Sequence, residues 1–250
     1  MMVSRRAQLQ VAFANAQALQ EEGQFAEAER AWLDLEKDIP NHAGVLVNLA
    51  MVQWQSGALD KAEDTAARAI EAGPEMEQAH AIYGAAAEAR GANGDAIKRY
   101  ERALELKPQL TSVIYSLANL HRQQGGLEKA LNYAKRLTAI KPMWAKAHDA
   151  VGAILLAIGD LDGANCALNY AVQLDPALAS AHGNLGMLKA ERREWIEALE
   201  HLETALSLAP NVAEAHNNRG NVLISLNRLT EAEAAFACAL ELAPECPETH

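Results

Sequence analysis

Histidine is the residue type whose spacing in this chain most suggests chemistry. Five of the eight histidines are separated by 34 residues or a multiple of 34, namely His80, His148, His182, His216 and His250. Evenly spaced imidazoles are candidate zinc ligands, and zinc holds its nitrogen ligands at about 2.0–2.1 Å. Equivalent residues on successive helices would lie about 8–10 Å or more apart, which is too far to share one ion. The spacing therefore predicts histidines packed between helices, and no metal site.

Other motifs of enzymatic sites are missing from the sequence. It contains no HExxH, CxxC or EF-hand loop, no GxSxG elbow, no Walker loop and no GxGxxG fingerprint. No pair of carboxylates stands apart from those expected on solvated helix faces. We therefore expect no catalytic residue and no cofactor, and a chain that is not itself an enzyme.

Composition and charge narrow the class of protein further. The 250 residues are 50% apolar, yet only 12 are aromatic and 52 are alanine, which favours packed helices over sheets. Basic residues number 22 and acidic residues 33, and the net charge of -11 disfavours binding to nucleic acid. No apolar run reaches about 18 residues, so no membrane span is expected. The three cysteines, Cys166, Cys238 and Cys246, form no CxxC pair and favour a reducing, cytoplasmic location.

Proline reveals the elements that must position any site. Seven of the eight prolines recur every 34 residues, at Pro40, Pro74, Pro108, Pro142, Pro176, Pro210 and Pro244. A constant period of this length is typical of repeat proteins. After a lead-in over residues 1–8, the chain divides into seven repeats, and residues 247–250 begin a truncated eighth. The seven repeats are 9–42, 43–76, 77–110, 111–144, 145–178, 179–212 and 213–246.

Each repeat is predicted to form two helices. Position 20, counted from the start of a repeat, is alanine in all seven, and position 8 is glycine or alanine in all seven. Small residues at both positions allow two helices to approach closely. Position 15 is glycine in the first five repeats, followed by Arg193 and Asn227, and glycine is favoured where a turn needs a left-handed residue. Proline at position 32 ends the second helix.

This pattern resembles the tetratricopeptide repeat family. Repeat 7 fits best, with Gly220, Ala232, Phe236, Ala239 and Pro244 at positions 8, 20, 24, 27 and 32. The resemblance implies an all-α, right-handed superhelical solenoid of stacked helix-turn-helix hairpins. The family's tryptophan at position 4 is absent, and that position carries histidine in four repeats. Position 24 carries a small residue in repeats 2 and 4, Ala66 and Ala134, which predicts looser packing there.

The resemblance also implies where a partner binds. In the family, the first helix of each hairpin lines a concave groove, which places positions 2, 5, 6, 9, 12 and 13 on what we call the first-helix face. Asparagine, a weak helix former, recurs on this face, and its amide can bond the backbone of an extended peptide. Exposed polar residues without a binding role are the alternative explanation. The predicted groove residues are Asn48, Trp54, Tyr115, Asn119, Arg122, Asn184, Met187, Asn217, Asn218 and Asn221.

Three functions are consistent with this sequence. The first is a non-enzymatic scaffold that binds a peptide or protein segment in the groove. The second is the recruiting arm of a larger glycosyltransferase, sulfotransferase or methyltransferase whose catalytic domain lies outside this chain, since repeats 6 and 7 resemble the repeat arm of protein O-GlcNAc transferases. The third is self-association through the C-terminal repeat, which has no polar capping helix after it.

Overall fold

A computed structural model describes residues 5–243, and the described chain is α-helical, with fourteen helices and no strand. The prediction of an all-α fold built from helical hairpins is confirmed. The helices are α1 Arg5–Glu21, α2 Phe25–Asp38, α3 Ala43–Gln55, α4 Leu59–Ala72, α5 Glu77–Ala89, α6 Asn93–Leu106, α7 Thr111–Gln123, α8 Leu127–Ile140, α9 Ala145–Ile158, α10 Leu161–Leu174, α11 Ala179–Glu191, α12 Trp195–Leu208, α13 Ala213–Ser225 and α14 Leu229–Leu242.

The helices follow the 34-residue register. From repeat 2 onward, each first helix starts at position 1 of its repeat, and every second helix starts at position 17 and ends at position 30. The proline at position 32 therefore stands two residues after the helix end, as Pro74 does after α4. Repeat 1 differs, because α1 begins at Arg5 and includes residues 5–8, which were predicted to form a lead-in. Residues 244–250, with Pro244 and the start of the eighth repeat, lie outside the described residues.

The turn between the two helices uses a left-handed residue in all seven repeats. The five glycines at position 15 have φ angles between +75° and +89°. Arg193 and Asn227, which replace glycine in repeats 6 and 7, adopt φ of +59° in the same turn. The backbone shape is thus kept even where the residue is not glycine, and asparagine tolerates this conformation better than most residues.

Close helix packing explains the small residues at positions 8 and 20. All seven alanines at position 20 are at most 2% exposed. A Cβ added to Gly152, at position 8 of repeat 5, would lie 2.5 Å from Cγ of Leu168 at position 24. Gly186 would meet Leu202 at 2.6 Å in the equivalent place. The large side chain at position 24 therefore occupies the space that glycine leaves at position 8.

Repeats 2 and 4 solve the same packing problem in another way. Their position 24 is alanine, Ala66 and Ala134, and their position 8 is also alanine, Ala50 and Ala118. All four side chains are fully buried. In these repeats a residue larger than glycine at position 8 thus accompanies a small residue at position 24. The looser packing expected there stays a prediction.

The chain separates into two compact units, residues 1–117 and 118–250. We call them the N-terminal half and the C-terminal half, and describe each separately. The N-terminal half is centred on a cluster around Trp32 and Leu49 and another around Leu46 and Ile82. The C-terminal half contains clusters around Leu168 and Leu185 and around Leu202 and Leu223. None of the helices within residues 5–243 has the length and apolar character that crossing a bilayer requires.

Candidate functional site

The repeated histidines have a structural role. Nε2 of each described histidine at position 4 lies 2.8–3.1 Å from the carbonyl oxygen of the proline in the preceding repeat. The four pairs are His80 with Pro74, His148 with Pro142, His182 with Pro176 and His216 with Pro210. A carbonyl can only accept, so Nε2 carries the proton and donates it. The bond ties the turn between two repeats to the next first helix. His250 lies outside the described residues, and within 5–243 no three histidine, cysteine or acidic residues form a group that could hold a metal ion.

The pKa values of the buried His80 and the partly buried His201 are lowered, which favours the neutral imidazole. Nδ1 of His80 is buried and has no hydrogen-bond partner among residues 5–243, and burial lowers the pKa of this imidazole, with Arg99 and Arg102 adding to the effect. Nδ1 of His182 lies 3.2 Å from Nδ1 of His201. Burial, then the proximity of His182 and Lys189, lowers the pKa of His201. Since Nε2 of His182 donates to Pro176, its Nδ1 accepts the proton of His201.

Acidification should therefore destabilise the fold. The unfolded chain takes up protons near the ordinary histidine pKa of about 6.5, whereas the native state resists protonation until a lower pH. Stability then falls as the pH drops from about 7.5 towards 5.5, by up to about 1.4 kcal/mol per pH unit for each histidine within that window. Urea unfolding at a series of pH values measures this slope.

Variants at these histidines test whether their protonation causes the loss of stability at low pH. His80→Gln and His201→Gln should each flatten the pH dependence, whereas Asn169→Gln, an exposed control on α10 that changes no titratable group, should leave it steep. An unchanged slope in the first two variants would show that other groups titrate.

The C-terminal half places a carboxylate among the predicted asparagines. Asp149 on α9 is 6% exposed and accepts hydrogen bonds from the Ser180 hydroxyl at 2.6 Å and from Nδ2 of Asn184 at 2.8 Å. Burial raises the pKa of Asp149, while these two bonds and the nearby Arg122 oppose the increase. Because only the amide nitrogen can donate to a carboxylate, Asp149 fixes the orientation of the Asn184 side chain. The Asn184 oxygen is left as an acceptor.

An open cleft of about 460 Å3, which we call the C-terminal cleft, is lined by residues of α11, α12 and α13, and Asn184 is not part of its lining. It contains three predicted residues, Met187 on α11 and Asn218 and Asn221 on α13. Neither asparagine side chain has a hydrogen-bond partner within the described part of the chain. The remaining lining residues are Gly186, Ala190, Glu191, Arg193, Trp195, Leu202, Val222 and Ser225.

Asn217 differs from its neighbours. Its side chain is 9% exposed, and its buried Oδ1 has no partner in the part of the chain that the structure describes. Asn217 was predicted to lie in the open groove, but the structure turns it towards the interior. It is therefore positioned to support the first-helix face rather than to present an amide to solvent.

The N-terminal half contains a second, more apolar cleft of about 570 Å3, the N-terminal cleft. Trp54, a predicted groove residue, lies on its wall and is 39% exposed. Asn48 is not part of this lining, and its Nδ2 donates to the Gly44 carbonyl at 2.7 Å within α3. The residues lining the N-terminal cleft are Met51, Trp54, Ala81, Ile82, Ala85, Glu88, Ala89, Tyr100, Ser112, Val113 and Ser116.

Three further predicted residues lie on α7. Tyr115 and Asn119 are partly buried and Arg122 is exposed. None of them lines either cleft. The predicted set is thus divided between two clefts and the surface around them, and is not gathered into one compact site.

Sequence reasoning missed the residues that organise these surfaces. Asp149 occupies position 5 of repeat 5, and Ser180 and Asn184 occupy positions 2 and 6 of the next repeat. The sequence feature that could have identified this hydrogen-bonded group is a carboxylate followed, after 31 and 35 residues, by two hydrogen-bond donors. Ala81, Ala85 and Ala89, spaced by four residues, gave a similar signal for the N-terminal cleft.

Similarity to known proteins agrees with this architecture. Residues 13–77 and 177–245 match the tetratricopeptide repeat family, and together these stretches cover more than half of the chain. No curated protein sequence matches the chain.

Solved structures show the same fold. A chain of the APC/C hetero-tetramer Cut9–Hcn1 superposes with a TM-score of 0.79 at 18% identity, over 94% of this chain and 46% of that one. This protein therefore spans less than half the length of that relative. A tetratricopeptide repeat protein of Thermus thermophilus is 28% identical, with a TM-score of 0.63 over 70% of this chain and 95% of that one. YrrB, described as a TPR protein with an unusual peptide-binding site, is 22% identical, with a TM-score of 0.62 over 74% of this chain and 95% of that one.

The family is thus supported by the 34-residue period, the left-handed turns, the interlocking small and large residues, and the two matching stretches. This chain belongs to the tetratricopeptide repeat family.

Proposed function

We propose that the protein is an interaction scaffold that binds a peptide segment of a partner protein along its first-helix faces, with the C-terminal cleft as a principal contact. The observation that supports this most directly is the open cleft that presents the Asn218 and Asn221 amides beside Met187. A cleft of this volume lies within the range of about 300–1,000 Å3 that is typical of ligand sites.

The chemistry of the cleft suits a peptide main chain. Asn218 and Asn221 are three residues apart on α13, so their side chains lie on the same side of the helix. Each amide supplies two donors and an acceptor, which match the carbonyl and N–H groups of an extended backbone. Met187 adds a flexible apolar contact that adapts to different side chains.

Asn184 extends this surface with a fixed orientation. Its bond to Asp149 at 2.8 Å holds the amide nitrogen, so the oxygen is available to accept an N–H group from a bound peptide. The peptide-binding site named for YrrB shows that a protein with this fold can carry such a site, and it supports the same type of role here.

Removing the two asparagine amides that line the C-terminal cleft tests the proposal. The double variant Asn218→Ala and Asn221→Ala should weaken peptide binding about 5- to 150-fold, since each lost hydrogen bond contributes about 0.5–1.5 kcal/mol. Thermal unfolding should stay nearly unchanged, because neither side chain forms a hydrogen bond with any of residues 5–243. Asn184 is unsuitable for this test, because its removal would also disturb the buried Asp149.

Peptides selected from a random 12-residue display library provide the probe, and fluorescence anisotropy measures their affinity. The control is Asn165→Ala with Asn169→Ala, a pair of asparagines on the second helix α10 that bond to each other. The control should bind like the original protein. Equal binding by the Asn218 and Asn221 variant would remove the amide contacts from the proposal, and a library without binders would reject it altogether.

A further inference from the structure

The N-terminal cleft results from small residues on one helix. Ala81, Ala85 and Ala89 lie at positions 5, 9 and 13 of repeat 3, so they form one stripe along α5. Repeat 2 has Val47 and Met51 at positions 5 and 9. The smaller side chains of α5 leave a recess between α3 and α7.

The wall of this recess is mostly apolar. Met51 and Trp54 bound it on the α3 side, and Val113 bounds it on the α7 side. Trp54 is 39% exposed, which is a large accessible fraction for a side chain that gains much from burial. An apolar side chain of a partner would cover the indole and fill the space above Ala85.

One charged side chain lines the recess. Oε2 of Glu88 accepts a hydrogen bond from the Tyr100 hydroxyl at 2.7 Å. Burial, followed by this bond, raises the pKa of Tyr100, so the phenol keeps its proton and remains the donor. The bond holds the Glu88 carboxylate on the wall, and its second oxygen has no partner within the described chain.

The charge on the first-helix faces that carry Trp54 and Glu88 is acidic, and Arg90 beside them is paired with Asp60 and Glu63. On the first-helix faces of repeats 1–3 there is no lysine or arginine, and the charged residues are Glu21 and Glu88. The whole chain carries a net charge of -11. A cation is therefore attracted to the cleft and a carboxylate is repelled.

We propose that the N-terminal cleft binds an apolar side chain of a partner peptide with a lysine or arginine beside it, the apolar group packing between Ala85 and Trp54 and the cation pairing with Glu88. The exposed indole face of Trp54 offers the same cation a second contact. This inference rests on the proposed function, since it defines the class of peptide that the scaffold recognises.

Two matched 12-residue peptides test the charge preference. One carries a central leucine between two lysines, and the other carries it between two glutamates, in the same Gly-Ser background. At low salt the lysine peptide should bind at least about tenfold more tightly, and the difference should shrink as salt is added. Glu88→Gln, which can still accept from Tyr100, should reduce the preference to about twofold, whereas Glu71→Gln on the second helix α4 should preserve it.

Filling the recess tests the apolar contact. Ala85→Leu should weaken binding of the lysine peptide by about tenfold or more, because the new side chain occupies the space of the incoming one. Ala67→Leu, at a partly buried position of the second helix α4 that does not line the cleft, provides the matched control and should bind normally. Circular dichroism of both variants checks that they fold equally well.

Each contrary outcome overturns the inference. Equal binding of the two peptides excludes the cationic partner, and unchanged binding by Ala85→Leu excludes this cleft. If Ala85→Leu instead changes the mass in solution without affecting peptide binding, the occupant is a second copy of the chain. Loss of binding on replacing Asn218 and Asn221 but not Ala85 would leave the proposed function intact while rejecting this inference.

Discussion

Replacing Gly152 by alanine is expected to destabilise the C-terminal half by about 1–3 kcal/mol, the usual cost of overpacking. The added methyl group would lie 2.5 Å from Cγ of Leu168 and 3.3 Å from its backbone nitrogen. Neither of these atoms can move without shifting α10 or rotating the leucine. The better helix propensity of alanine, worth about 1 kcal/mol, offsets only part of this cost.

The compensating change should recover stability. Leu168→Ala alone removes a fully buried side chain and should cost about 2–5 kcal/mol. The double variant recreates the alanine pair that repeat 2 has at Ala50 and Ala66. We expect it to be more stable than the sum of the single effects predicts, by about 0.5–3 kcal/mol.

A glycine outside the contact between the two helices of a hairpin provides the control. Gly183 on α11 has no neighbouring atom of the described residues within 4 Å of an added Cβ, so Gly183→Ala should stabilise the protein by about 0.5–1 kcal/mol. Urea unfolding of the four variants gives the comparison, and hydrogen exchange of α9 and α10 localises it. If the effects of the substitutions at Gly152 and Leu168 on the free energy of unfolding are simply additive, the side chains at positions 8 and 24 are not energetically coupled.

The features that the sequence predicted well are those fixed by the backbone of each hairpin. The turn at position 15 requires a left-handed residue, and the helix contact at positions 8 and 20 requires small side chains. These demands recur in every repeat, so a single chain provides seven independent instances of them. Even Arg193 and Asn227, which break the glycine pattern, keep the turn conformation.

The candidate sites were harder to predict because they depend on contacts between particular repeats. Asn184 was identified, but its bond to Asp149 was not, since the two residues share neither a repeat nor a recurring position. Asn217 was expected on the open face, yet burial within the C-terminal half removes it from solvent. A residue's position in the repeat gives the direction of its helix face, whereas exposure depends on the side chains of the adjacent repeats.

The same dependence on neighbours leads to a final prediction at Trp32. This side chain is fully buried at position 24 of repeat 1 and meets the Phe13 ring edge-on, with 4.7 Å between ring centroids. Trp32→Ala should cost about 3–5 kcal/mol. Because each repeat of a solenoid is stabilised mainly by adjacent repeats, hydrogen exchange should accelerate most in α1 to α3 and little in the C-terminal half.

Replacing Trp32 by phenylalanine separates the contribution of aromatic packing from the cost of the buried indole N–H group. Nε1 of Trp32 is buried and has no partner among the described residues, and such a donor costs about 1–3 kcal/mol. Trp32→Phe keeps an aromatic ring and removes this donor, so its loss of stability should be much smaller than that of Trp32→Ala. Equal losses in the two variants would show that the indole's size alone matters, and uniform acceleration of exchange along the whole chain would contradict stabilisation by neighbouring repeats.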